Sequence, residues 1–132
     1  MARSEAVRFA GASGAGLAAR LDFPDGEPSA FALFAHCFTC SKDTRASTYI
    51  ARALADAGIA VLRFDFPGLV GSEGEFASTN FSSNVDDLVA AAGYLRAQHQ
   101  APRLLIGHSL GGAAVLAAAG RLDDAAAVAT IN

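Results

Sequence analysis

The sequence predicts an α/β fold, a mostly parallel sheet with helices on both faces. Three observations carry this. After two opening strands, apolar runs of strand length alternate three times with segments of helical spacing, and such alternation means right-handed crossovers between parallel strands. Two of the runs, "AFALFAH" (Ala30–His36) and "IAVLRFDF" (Ile59–Phe66), are nearly continuous in apolar residues, as strands covered on both faces are. The residues with chemistry in them, His36, Asp65 and Ser109, fall at the carboxyl ends of predicted strands, where open α/β sheets place their sites.

The elements follow in order. "AVRFAG" near residues 6–11 and "GLAARLDFP" near 16–24 read as strands around a Gly/Ser turn, and "PDGEP" (Pro24–Pro28) as a strong turn. After the strand ending at His36, the spacing of Ala46, Ile50, Ala53, Leu54 and Ala57 predicts a helix from about Asp43 to Ala57, with Gly58 at its C-terminal cap. The strand over 59–66 leads into a glycine-rich loop, "PGLVGSEGEF". A second helix is expected from about Asn84 to Gln98, with Val85, Leu88, Val89, Ala92 and Leu95 facing inward. Ser83 and Asp86 resemble a capping box at its start. Pro102 precedes the strand "RLLIG", a third helix covers roughly 110–121, and "AAAVATI" reads as a last strand. No repeat, linker or break in composition marks a second domain.

A chain of 132 residues suits one domain with a single core, and 52% hydrophobic with 17% charged residues is a folded composition. The net charge of −3, without any lysine/arginine cluster along the chain, argues against nucleic acid and against a polybasic membrane surface. The longest apolar run, around Leu110–Gly120, is too short to span a bilayer. The opening "MARSEAVRFAGASGAG" has no apolar core of a signal peptide, so a cytoplasmic location is the expectation. With two cysteines, Cys37 and Cys40, a disulfide framework is not expected.

Gly107-His108-Ser109-Leu110-Gly111 has the Gly-x-Ser-x-Gly pattern of a nucleophile elbow, a serine held on a tight turn between a strand and a helix. Small residues two places either side spare the neighbouring backbone a clash, and the helix N-terminus behind the serine favours developing negative charge. An oxyanion hole needs two backbone N–H donors aimed at one point. Leu110 would give one, and Phe38, in the loop after "FALFAH", the other. The same loop contains Cys37-Phe38-Thr39-Cys40, which as a redox pair is a rival reading, though no flanking Trp or Pro supports it. His36, Cys37 and Cys40 stand too close together to close a zinc tetrahedron easily, so no metal is expected.

A nucleophilic serine needs a base, and the three histidines offer none. His108 adjoins Ser109 and should point away from it, His99 ends a surface helix, and His36 sits where oxyanion donors belong and reads as structural. Asp65 reads as a carboxylate that stabilises a turn. Asp123 and Asp124 fall at the amino ends of the strands, the wrong end for catalysis.

These residues resemble the α/β-hydrolase superfamily. "GHSLGG" matches its nucleophile elbow, "FAHCFTCSKD" takes the place of its oxyanion loop, and "FDFPGLVGSEGEF" is similar to its Asp-x-x-Gly-x-Gly-x-Ser loop, with Val70 where glycine is common. The combination looks like a subgroup in which the hydrolase precedes an OsmC-like domain. The resemblance implies acyl transfer to water from a small-molecule acyl substrate, with Ser109 as nucleophile, Phe38 and Leu110 as oxyanion donors, and no cofactor. It implies that the acid and histidine of the triad follow on later loops. The 132 residues then correspond to the N-terminal portion of an α/β-hydrolase fold, with little turnover alone and an apolar sheet edge near Ala127–Ile131. A non-catalytic hydrolase-like scaffold is the alternative.

Overall fold

The computed structural model describes residues 3–36, 42, 44–66 and 80–131. Along the chain come β1 (Arg3–Ala10), β2 (Gly16–Phe23), β3 (Ala30–Ala35), α1 (Arg45–Asp56), β4 (Ile59–Phe64), α2 (Phe81–Gln98), β5 (Leu104–His108), α3 (Leu110–Ala119) and β6 (Ala127–Ile131). The strands make one six-stranded sheet in the order β1-β2-β4-β3-β5-β6. β3 pairs in parallel with β4 and β5, and β5 with β6, while β2 pairs antiparallel with both β1 and β4. The strand–helix alternation thus gives the mostly parallel sheet it implied, and the opening hairpin caps it on one side.

Strand alternation sorts side chains between two unequal faces. On one, Leu17, Leu21, Leu33, Leu62 and Phe64 join Leu88 and Leu95 of α2 and Val115 of α3 in the main core. On the other, Ala32, Phe34, Val61 and Ile106 meet Ala51 of α1 in a smaller one. Each such leucine or phenylalanine, wholly withdrawn from water, stabilises the fold by about 2 kcal/mol. β6 is the outer strand of the described sheet, with Ala127, Ala129 and Thr130 exposed.

Two local expectations change. α1 buries Ser47, Ala51 and Ala55, with Ile50 and Leu54 beside them, whereas Ala46, Ala53 and Ala57 are exposed. Alanine carries too little apolar area to fix a helix face, and the line of small residues lets α1 lie close on the sheet. Ser47 is satisfied there by the N-cap residue, its hydroxyl lying 2.8 Å from Thr44 Oγ1. α2 starts three residues before Asn84, at Phe81, because Asn80 is its N-cap. Its capping box is Asn80 with Ser83: Ser83 N–H donates to Asn80 Oδ1 and Asn80 N–H to Ser83 Oγ, both at 2.8 Å. Ser83 thus takes the inner position of the box, and asparagine caps a helix as well as serine does. Among the described residues, no helix is long and apolar enough to cross a membrane.

Candidate active site

β5 ends at His108, and the chain turns at Ser109 with φ 57° and ψ −121°. Among the described residues this is the one non-glycine with positive φ, a conformation that costs on the order of 1–3 kcal/mol and persists only where its surroundings enforce it. The enforcement is visible. Ser109 N–H donates to Ile131 O at 2.8 Å, and Gly112 N–H to Ser109 O at 2.8 Å. A Cβ on Gly107 would lie 2.2 Å from Gly111 O, and one on Gly111 2.2 Å from Ala35 O and 2.6 Å from His36 O. The end of β3 therefore runs against the elbow backbone, and the two motif glycines are a steric requirement. Ser109 itself is exposed, its side chain makes no capping hydrogen bond, and Leu110 behind it opens α3. The first N–H groups of a helix, that of Leu110 among them, lack intrahelical partners.

Beside the elbow, the strand ends are tied by buried charge. Asp65, fully buried past the end of β4, accepts from Lys42 N–H at 2.8 Å and from Lys42 Nζ at 2.7 Å. Arg63 Nη1 donates to Lys42 O at 2.5 Å, and its Nε and Nη2 reach Asp22 at 2.7 and 3.4 Å. Both backbone groups of Lys42 are thereby fixed, one to Arg63 of β4 and one to Asp65 just past its end. His36 is fully buried, Nε2 3.8 Å from Asp65 Oδ1 and its ring 5.3 Å from that of Phe66. That geometry agrees with a structural His36 and with an Asp65 that stabilises a turn. His99 is exposed as expected, but its ring also stacks on Phe31 at 5.3 Å, at the start of β3. His108, half-buried, makes no hydrogen bond to Ser109 among the described residues. Asp124 pairs with Arg96 on the surface.

Of the expected site residues, Ser109 and Leu110 stand together at the head of α3, with His36 and Asp65 at neighbouring strand ends. Phe38, Cys37, Cys40 and Val70 lie outside the described residues. Sequence reasoning missed Lys42, Arg63 and Asp22. The signal was present: Arg63 and Asp65 interrupt a strand that reads as buried on both faces, and buried charges require partners.

A parallel sheet flanked by helices, with a strained serine between β5 and α3, is the architecture of an α/β hydrolase. A model of the family described as "Serine aminopeptidase, S33" matches residues 26–131, and the chain belongs to that family. Solved structures agree. The esterase domain of a Rhodothermus marinus protein is 54% identical, with a TM-score of 0.78, over 97% of this chain and 49% of its own. An α/β serine hydrolase without a lid from Xanthomonas campestris is 31% identical, with a TM-score of 0.79, over 92% of this chain and 57% of its own. A Butyrivibrio proteoclasticus protein solved with ferulic acid bound is 26% identical, with a TM-score of 0.84, over 92% of this chain and 51% of its own. The chain thus spans about half the length of these relatives. No curated protein matches it.

Proposed function

We propose that this chain supplies the nucleophile of an acyl hydrolase, which cleaves an ester, thioester or amide through an acyl-Ser109 intermediate. The observation that carries the reading is the exposed Ser109 held at φ 57° between β5 and α3. Its Oγ attacks the substrate carbonyl carbon and its proton passes to a base. The carbonyl oxygen, now negative, is received by the N–H of Leu110 and, as second donor, that of Phe38. The intermediate collapses to the acyl-enzyme as the scissile bond breaks and the leaving alcohol, thiol or amine takes the proton from the base. Water then cleaves the acyl-enzyme to the free acid and Ser109. The scheme uses no metal or organic cofactor.

The base and acid of the triad, in this proposal, lie outside these 132 residues. His36 is enclosed by Asp65 and Phe66, His99 packs at the other end of β3, and His108 makes no bond to the serine. The test is a fluorophosphonate probe on the 132-residue chain. Slow labelling confined to Ser109 and lost in Ser109→Ala is expected. Labelling that survives Ser109→Ala sinks the nucleophile assignment, and fast stoichiometric labelling sinks the outside base. The C-terminal OsmC-like partner belongs to the same proposal, and an intact mass well above 13.4 kDa for the protein made by its own organism is the result expected.

A further inference from the structure

On the face of the sheet that carries α1, the antiparallel strands present charge where the other face presents leucines. β2 sends Leu17, Ala19 and Leu21 into the main core and Arg20 and Asp22 to the α1 side. Register brings Arg63 of β4 opposite Arg20, and Ser4 of β1 opposite Asp22. From α1, Arg52 and Thr48 close the side of a depression of about 500 Å³. Arginines from three separate elements, β2, α1 and β4, thus converge at one place, which no local cluster in the chain announced.

The charge there does not cancel. Among the described residues, the guanidinium groups of Arg20, Arg52 and Arg63 line the depression with a single carboxylate, Asp22, which Arg63 already holds at 2.7 Å. Arg3 turns its guanidinium to the other face, over the Phe23 ring at 4.2 Å and paired with Glu5 at 2.9 Å, so the two positive charges that remain are those of Arg20 and Arg52. Arg20 is pre-positioned: its Nε donates to Ser4 Oγ at 2.9 Å and its Nη2 to Ser4 O at 3.2 Å. The guanidinium fork matches a phosphate oxygen pair, and crowded cations gain most from a ligand of charge two or more. The lining takes nothing from β5 or α3, so the depression is separate from Ser109.

We propose that this depression binds a small phosphorylated molecule, with Arg20 and Arg52 as its phosphate-holding residues and the Thr48 hydroxyl as a neutral donor. The claim is independent of the hydrolase reading, since its test reads binding and not turnover. Inorganic pyrophosphate is titrated into the full chain at low ionic strength and followed by amide NMR. Saturable shifts around Arg20, Thr48 and Arg52 are expected. The double variant Arg20→Gln/Arg52→Gln weakens binding at least about tenfold, a loss of the order that two charge-assisted bonds would cause. Arg52→Gln alone, on the exposed side of α1, gives a smaller loss without disturbing the strands. Arg121→Gln, whose side chain pairs with Asp86 elsewhere, leaves affinity unchanged. Absence of saturable shifts, or equal binding by the double variant, overturns the site. An equal loss in Arg121→Gln reduces it to bulk charge and overturns it too, and tighter binding of citrate than of pyrophosphate overturns the phosphate assignment.

Discussion

The elbow at Ser109 and the segment at Lys42 are both irregular backbone beside strand ends, and they are held in opposite ways. The elbow is held by the absence of side chains: Gly107 and Gly111 let backbone meet backbone at distances no Cβ would permit. Lys42 is held by their presence, Arg63 of β4 binding its carbonyl and Asp65, just past the end of β4, its N–H. A steric device tolerates no substitution but needs no distant partner. An electrostatic one can be rebuilt from other residues but fails when one member is removed.

The sharpest test of the steric half is Gly111→Ala. The added carbon would sit 2.2 Å from Ala35 O, and β3 is a central strand that cannot retreat. A loss of at least about 4 kcal/mol is expected, beyond ordinary overpacking, with urea unfolding no longer a single cooperative transition. A cost under about 1 kcal/mol would show that the elbow relaxes and would break the contrast.

Asp65→Ala should come next. It takes away the acceptor of both Lys42 bonds from a fully buried position, and removing one member of a buried ion pair costs about 3–5 kcal/mol. The electrostatic reading adds a second expectation. Asp65→Leu/Lys42→Leu should recover a good part of that loss, because two apolar residues leave no buried charge behind. A double variant as unstable as the sum of the single ones, measured by urea unfolding, would mean that the bonds to Lys42 are not what Asp65 contributes.

The same contrast decides what could be read in the chain. The elbow was legible because its steric rule acts at fixed spacing within five residues, Gly107 to Gly111. The β3 and β4 runs were legible because burial on both faces leaves few polar residues. The Lys42 network was not, since its bonds join residues 21, 23 and 41 apart, and only the odd charges in β4 hinted at it. The inward face of α1 was misjudged for another reason: alanines populate every side of it, and close packing on the sheet selected Ala51 and Ala55. The arginine-lined depression was hidden by the sheet register, which sequence pattern does not fix.

Asp87 stands between the two devices and gives a gentler test. It accepts Ala12 N–H at 2.9 Å, and the approach is open because Gly11 has no side chain: a Cβ there would lie 2.9 Å from Asp87 Oδ1. Unlike Asp65, it has no cation paired with it among the described residues. Burial raises its pKa above 3.8, the Ala12 hydrogen bond pulls it down in part, and neighbouring Asp86 adds to the rise. The folded protein therefore holds this proton more tightly than the unfolded chain. Ionised Asp87 detracts from stability at neutral pH, and the penalty is relieved as pH falls through the raised pKa. Asp87→Asn keeps an oxygen for Ala12 and removes the charge. It should be more stable than the parent at neutral pH and show a flatter dependence of stability on pH in the weakly acid range. Urea unfolding across that range checks it, and a variant less stable at neutral pH would mean that the carboxylate has a cationic partner.

The smallest effect is expected where the steric rule stops. Gly112 follows Gly111 directly, yet a Cβ on it would meet the side chain of Thr130, at 3.2 and 3.3 Å, with the nearest backbone atom at 3.4 Å. The nearest of these atoms is the Thr130 Cβ, fixed to the backbone of β6, so β6, the outer strand of the described sheet, must give by a few tenths of an ångström. Alanine also favours the helix over glycine by about 1 kcal/mol, which offsets the crowding. Gly112→Ala should therefore change stability by less than about 1 kcal/mol in either direction. Set beside Gly111→Ala, it isolates the cause. One position and about one ångström separate the two glycines, and what differs is whether the backbone of a central strand or a side chain on the outer strand stands opposite. If Gly112→Ala proved as damaging as Gly111→Ala, the packing of α3 on β6 would be as rigid as the elbow itself, and the steric device would extend from the turn into the helix.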